Sequence, residues 1–369
     1  MNRIRDLSVD NHSMVVEAGC TLARVQDAAS AAGCLFPLSL AAEGSCQIGG
    51  NLSTNAGGVN VLRYGTARRQ VLGLEVVLPE GSVIEGLRAL RKDTAGYDLK
   101  QLFIGAEGTL GVITAACLSI QPAPEAISTV MLAIDSPLAA VELLSYLQNA
   151  LGDTLLAFEL MPDRALRFVL RHIADTRNPF ARSYPWIVLA ASSAASALIE
   201  TVLVKAMERN TVQDAVIPKS NAESESLWKL RHCVSEAQKS EGASLKHDVA
   251  VPVASVARLI ERSESAILRH IPGARMVAFG HLGDGNIHLN VSQPRDASVD
   301  GFLAEGEAIA NMIYDIVAEL GGSFSAEHGV GQARRGYLRQ YRTPVELTAM
   351  HAIKDALDPQ GIMNPGKVL

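Results

Sequence analysis

Two histidines, His281 and His288, flank a glycine-bearing turn within residues 280–290, Gly-His-Leu-Gly-Asp-Gly-Asn-Ile-His-Leu-Asn. An acid–imidazole pair, Glu327-His328, follows in residues 325–331, Ser-Ala-Glu-His-Gly-Val-Gly. Two imidazoles and one carboxylate are a donor set for a divalent metal that keeps an open coordination position. The ligand types favour zinc, with manganese, iron and cobalt left open. A lone histidine is more often a hydrogen-bonded core residue. It is the pairing across a turn, with a carboxylate further on, that points to a metal. A flavin-free metal hydrolase could use the same donors around a bound water, although the helical H-E-x-x-H motif is absent.

Positioning two imidazoles around a turn calls for a hairpin. The pattern predicts a helix over 256–268, a strand over 276–280, a turn over 282–286 and a returning strand over 287–291. On that strand His288 and Asn290 share a face by two-residue alternation. A strand over 322–325 should deliver Glu327, after a helix over 302–320 that ends at Gly321-Gly322. Thr343-Pro344-Val345-Glu346 reads as a capping box with proline at the first helical position, opening a helix to about Leu357.

A second kind of chemistry is written in glycine. Residues 42–58 set paired glycines among small and hydroxyl residues, with Ser45, Thr54 and Asn55 between them. Glycine lets backbone N–H groups approach a ligand, and consecutive N–H groups form an anion nest suited to phosphate or pyrophosphate. A plain glycine linker would not need the interleaved hydroxyl and amide side chains. The stretch is neither a G-x-G-x-x-G fingerprint nor a Walker loop, which argues against a nicotinamide Rossmann site or an ATPase. Residues 102–114 repeat the theme as strand, glycine turn, strand. Earlier, a strand over 14–19 precedes a helix over 21–32 that stops at Gly33. Strands are also expected over 71–78 and 83–84.

The length of 369 residues favours two domains, and Pro122 and Pro124 mark a boundary, giving domains over 1–124 and 125–369. Beyond it, helices over 138–147 (capped by Ser136-Pro137) and 197–207, with strands over 187–190, 215–217 and 245–252, suggest an α+β domain without cofactor loops. With 48% hydrophobic and 20% charged residues the chain is globular rather than disordered. The net charge of −6 argues against nucleic acid or an anionic membrane as partner. Five scattered cysteines without a C-x-x-C pair read as buried apolar residues rather than a disulfide framework or zinc cluster. No run is apolar enough for a signal peptide or a bilayer span, so the expected location is cytoplasmic.

Residues 49–58 and 105–111 together resemble the flavin-binding domain of the vanillyl-alcohol oxidase superfamily. The branch most resembled is that of the FAD-linked D-2-hydroxyacid dehydrogenases, which includes D-lactate and D-2-hydroxyglutarate dehydrogenases and the glycolate oxidase flavin subunit. The resemblance implies an α+β fold: a PCMH-type FAD-binding domain, then an α+β cap domain with an antiparallel sheet and a C-terminal helical segment. It also implies an N-terminally truncated flavin domain, because the family's first strand and pyrophosphate loop would precede residue 1. An inactive or FAD-poor fragment is therefore a second reading.

What the resemblance implies for individual residues can be stated position by position. FAD would lie along Gly44, Ser45, Gly49, Gly50, Thr54, Asn55, Gly57, Glu107, Gly108 and Ile113. The metal ligands would be His281, His288 and Glu327, and His328 the acid–base residue. Arg231 and Lys246, which taken singly read as surface cations, would bind substrate carboxylate together with Ser235 and Asn290. Serine at 235 departs from the threonine of the family member compared. An arginine fork suits a carboxylate because it bonds both oxygens. The implied reaction is oxidation of a D-2-hydroxy acid, with D-2-hydroxyglutarate first and D-lactate second, to the 2-oxo acid. The electron acceptor would be an electron-transfer flavoprotein, a quinone, a cytochrome or oxygen, and a homodimer is left open.

Overall fold

The computed structural model describes residues 1–369, which divide into two compact units. One unit is Met1–Pro124 with Glu327–Leu369; the other is Glu125–Ala326. The chain thus leaves the first unit at the proline pair and returns to it after Ala326.

In the first unit an antiparallel five-stranded sheet runs in the order Ile4–Ser8, Ser13–Glu17, Val112–Ser119, Val71–Val77, Val83–Glu85. Its central strand pairs on both sides, Val16 with Ala116 and Leu74 with Ala116 among others. Its residues from Ala115 to Ser119 are all buried, so this part of the strand reads as a continuous apolar run rather than an alternation. The helix Leu22–Ala31 packs Leu22, Val25 and Ala29 into this core. Thr21 caps it by accepting the Arg24 N–H at 3.4 Å, and Gly33 follows at φ +69°, a left-handed value that glycine adopts without cost.

The second unit carries two antiparallel sheets. Four strands run Asp214–Val216, Ser128–Ile134, Trp186–Ser192, Leu155–Pro162, and three run Ser244–Ala250, Asn286–Ser292, Arg275–Phe279. The sheets are joined by one bridge, Leu160 to Gly280, with N–H···O bonds of 2.8 and 3.0 Å in the two directions. Helices Asn221–His232 and Val234–Lys239 send Leu230, Val234 and Ala237 into a core with Val277 and Phe279. Ser136 caps the helix Pro137–Leu151, with proline at its start as its sequence requires.

Three expectations need correction. Residues 102–104 are not a strand: Lys100–Phe103 forms a helical turn whose Phe103 is buried. A three-residue apolar run has too little length to show a period. The helix expected over 302–320 is two, Val299–Ala304 and Gly306–Glu319, broken at Glu305. The expected strand at 322–325 makes only the bridge Ala250 to Ser323. The capping box at Thr343 is present, with both reciprocal bonds, on the helix Pro344–Leu357. The cysteines are all free, and burial pushes the Cys20, Cys117 and Cys233 thiols up. No helix is long and apolar enough to cross a membrane.

Candidate functional site

In the second unit the strand register decides which side chains meet. Lys246 lies opposite Asn290, and Asp248 opposite His288, which is itself opposite Phe279 on the other side. Directly opposed residues in an antiparallel pair point to one face. Lys246, Asp248, His288 and Asn290 therefore share the face of the three-stranded sheet on which Val277 and Phe279 meet the helices of residues 221–239. Lys246 is exposed at the strand's outer part, whereas Asn290 and Asp248 are buried.

His281 begins the tight turn Leu282–Asp284, and the turn closes at Gly285, φ +81°, where a Cβ would come within 2.1 Å of the Val251 carbonyl oxygen. Only glycine fits there. The turn brings the rings of His281 and His288 to a centroid distance of 5.5 Å, edge to face. Each ring has a buried carboxylate at Nδ1: Glu159 Oε1 lies 2.6 Å from His281, and Asp248 Oδ1 lies 3.6 Å from His288. Asp248 is held in turn by the Asn286 amide at 2.8 Å. An imidazole whose Nδ1–H faces a carboxylate carries its lone pair on Nε2, the usual arrangement of a metal-binding histidine. The donor chemistry of the pair fits a divalent metal.

Arg231, 6% exposed, donates from Nε to Glu159 Oε2 at 2.7 Å and lies 4.9 Å above the Phe279 ring. Burial by itself raises the Glu159 carboxyl pKa. The interactions with His281 and Arg231, hydrogen bonds among them, outweigh that and hold it down to about 2. Asn290 donates to Gln238 Oε1 at 2.8 Å, and Gln238 donates to Ser292 Oγ at 2.9 Å. Ser235 is exposed on the helix Val234–Lys239.

The first unit works with backbone instead. Gly49 and Gly50 sit in the short helix Ile48–Ser53, after a turn holding Gly44 and Ser45. A Cβ at Gly49 would come within 2.8 Å of the Ala18 Cβ, so this glycine serves internal packing. A Cβ at Gly44 or Gly50 would meet nothing within 4 Å, which leaves backbone open to a close ligand, as an FAD cradle requires. Thr54 Oγ1 donates to the Gly50 carbonyl at 3.1 Å, and Asn55, in the left-handed region, accepts the Arg68 N–H at 2.9 Å. Ile113 packs its side chain in the core, so only its backbone could serve a cofactor.

Glu107 does more than the glycine pattern suggests. Left-handed at φ +53°, it accepts the N–H groups of Val330 at 2.7 Å and Gly331 at 2.8 Å. Glu327 Oε2 accepts the Gly58 N–H at 3.2 Å, and a Cβ at Gly57 would come within 2.9 Å of that oxygen. The segment carrying Glu327 and His328 is thus pinned at both ends by carboxylates on backbone N–H groups. His328 Nε2 lies 3.8 Å from Glu327 Oε1, with its side chain 57% exposed. Gly108, φ +72°, continues the turn after Glu107.

Three residues of this chemistry were not picked out from sequence: Glu159, Asp248 and Gln238. Glu159 did leave a signal, as the one acid in the apolar run Leu155-Leu156-Ala157-Phe158-Glu159-Leu160-Met161. Gln238 left none, because a glutamine on a polar helix looks like solvated surface.

Comparison with known proteins adds the family. Residues 123–368 match the C-terminal domain of FAD linked oxidases, and residues 1–86 match an FAD binding domain. The mitochondrial D-2-hydroxyglutarate dehydrogenase of Danio rerio is 39% identical over 378 residues, covering 100% of this chain and 68% of its own length. The D-2-hydroxyglutarate dehydrogenase of Xanthomonas citri pv. viticola is 36% identical, covering 100% and 78%. The mitochondrial enzyme of that name from Arabidopsis thaliana is also 36% identical, and the chain spans 66% of its length. Among solved structures, a p-cresol methylhydroxylase with substrate bound shares the fold at a TM-score of 0.76 and 15% identity, over 100% of this chain and 78% of that one. The chain therefore belongs to the FAD-linked oxidases of the vanillyl-alcohol oxidase superfamily, in the branch of the D-2-hydroxyglutarate dehydrogenases.

Proposed function

We propose that this protein oxidises a D-2-hydroxy acid to the 2-oxo acid with reduction of FAD, and that D-2-hydroxyglutarate is its first candidate substrate. The observation that carries this is the buried Arg231, fixed by the same carboxylate that orients His281. The pairing would join a carboxylate-binding group to a metal-binding one, which suits the adjacent carboxylate and hydroxyl of a 2-hydroxy acid. Relatives named D-2-hydroxyglutarate dehydrogenase, matched along the whole chain, support the substrate class.

In this reading the first unit is the flavin domain and the second the cap. FAD, held along the glycine stretches 44–57 and 105–108, supplies the acceptor for the hydride that leaves C2. A divalent ion, zinc by ligand type, would be held by His281, His288 and Glu327 and supplies a Lewis acid for the substrate hydroxyl. The chain's own residues do the rest. Arg231 forks one substrate carboxylate through its terminal nitrogens, and Lys246 meets the second carboxylate or its solvent-facing edge. Asn290, held by Gln238, orients the substrate, and Ser235 offers a hydroxyl one helical turn after Arg231. His328 takes the hydroxyl proton as the C2–H bond breaks and the carbonyl forms. Two electrons leave as hydride and one proton goes to His328, so the step balances. An electron-transfer flavoprotein, a quinone or a cytochrome then reoxidises the protein.

The test is a visible spectrum of the purified chain with and without added FAD, metal analysis, and anaerobic addition of each 2-hydroxyglutarate enantiomer. Stoichiometric flavin, bleached by the D form and not by the L form, is the expected result. A chain that takes up metal but no flavin and hydrolyses esters or amides would overturn it, as would one that binds neither.

A further inference from the structure

Glu159 lies on the strand Leu155–Pro162, every residue of which is buried, and it is 1% exposed. A charge in that setting is costly unless both oxygens are satisfied. Both are, each by a different partner: Oε1 by His281 Nδ1 at 2.6 Å and Oε2 by Arg231 Nε at 2.7 Å. The bridge between Leu160 and Gly280 explains the delivery. Continued by one residue in antiparallel register, it sets Glu159 directly opposite His281 across 122 residues of sequence. Gly280 is needed for this approach, because at its φ of +145° a Cβ would come within 2.9 Å of the Asn286 carbonyl oxygen.

Stability alone does not account for such a residue. A buried ion pair can often be replaced by apolar side chains of similar volume at no loss, and the strand around Glu159 is apolar already. What an apolar residue could not do is hold two polar side chains of different roles in one geometry. An ionised carboxylate only accepts, so the Nδ1 that faces it carries the proton and Nε2 the lone pair. The same carboxylate takes Arg231 Nε, and the Phe279 ring lies 4.9 Å from the guanidinium carbon, so the fork is held on two sides.

We propose that Glu159 is a positioning residue that locks the metal-binding edge of His281 and the carboxylate-binding fork of Arg231 into one rigid pair. This rests on the roles given above to those two residues. Glu159 itself touches neither metal nor substrate. It couples the two subsites, so that loosening one side chain loosens the other.

Three measurements on the full chain test it. In wild type labelled with ring-15N histidine and loaded with zinc, the His281 Nδ1 should be protonated and Nε2 should bear the metal; metal on Nδ1 overturns the proposal. In Glu159→Gln, zinc retention against a competing chelator should weaken about 10- to 100-fold, and KM for D-2-hydroxyglutarate should rise alongside it. Glu159→Asp, which keeps the charge, should recover part of both. A Glu159→Gln chain that melts at a lower temperature yet keeps wild-type zinc affinity and KM would show a merely structural role. If Glu159→Gln does not fold, the wild-type tautomer measurement still decides. If wild type binds no zinc while D-2-hydroxyglutarate bleaches its flavin, the metal reading fails by itself. The Glu159 assignment then stands or falls on whether KM rises in Glu159→Gln.

Discussion

The two units build their chemistry from different materials. In the first, the donors are backbone N–H groups, and side chains such as Glu107 and Glu327 serve to grip them. In the second, the donors are side chains, gathered on one sheet face and held by buried carboxylates and an amide. A backbone site tolerates side-chain changes and fails when a φ angle or a close approach is disturbed. A side-chain site has the opposite sensitivities.

Removing a side chain from the chemistry should have the largest effect. His281→Ala in the second unit, and His328→Ala on the segment by which the chain returns to the first, are each expected to lower kcat by about 10²- to 10⁴-fold, the usual worth of positioned acid–base chemistry, with the circular dichroism spectrum unchanged. Near-normal turnover in either variant would remove that residue from the mechanism. Arg231→Lys comes next, because it keeps the charge but loses both the fork and the Nε bond to Glu159. Charge-assisted bonds of about 1.5–3 kcal/mol translate into a KM rise of about 10- to 100-fold, measured by steady-state kinetics. An unchanged KM would mean that the cap unit is less dependent on side-chain geometry than its burial implies.

Gly329→Ala probes the backbone grip of the first unit. Gly329 has φ +72°, and its Cβ would come within 2.6 Å of Glu107 Oε1, so alanine adds about 1–2 kcal/mol of left-handed strain and disturbs the grip on Val330 and Gly331. A lower melting temperature and a weaker flavin complex are expected. Ser45→Ala, by contrast, should stay within about 0.5 kcal/mol of wild type and bind flavin as well. If the serine variant lost flavin and the glycine variant did not, the contrast between the units would be reversed.

The smallest effect expected is an acid one in the first unit. The side chain and backbone of Arg3, and then Arg5, hydrogen-bond the Glu17 carboxylate and hold its pKa down to about 2, from 4.5. A carboxyl with its folded pKa below its unfolded one binds fewer protons when folded. Its contribution is therefore complete above about pH 4.5 and is lost as pH falls towards 2. Melting temperatures between pH 5 and pH 3 should fall less steeply for Glu17→Gln than for wild type. Parallel slopes would remove Glu17 from the account.

Much of this was legible in the chain itself, wherever the determinant was local. The cap at Ser136 and the capping box at Thr343, each followed by proline, the stop at Gly33, and the hairpin around residues 281–288 follow from neighbouring residues and their backbone preferences. The glycine turns of the flavin-type unit were readable for the same reason, since a left-handed φ or an open backbone leaves its mark at the residue that adopts it. The two-residue period likewise put His288 and Asn290 on one face. Where the local signal was short, at residues 102–104, the strand reading failed, because three apolar residues show no period.

The partners, in contrast, were decided only by tertiary structure. Glu159 reaches His281 through a single bridge between two sheets, Gln238 reaches Asn290 from a helix, and Glu107 reaches Val330 and Gly331 across more than half the chain. Backbone preference acts over a turn or two of chain. A buried charge is stabilised by whatever the fold brings within 3 Å, and sequence separation has no bearing on that distance. The sequence by itself therefore determined which groups could do the chemistry, and the packing of the strands decided which of them are held, and by what.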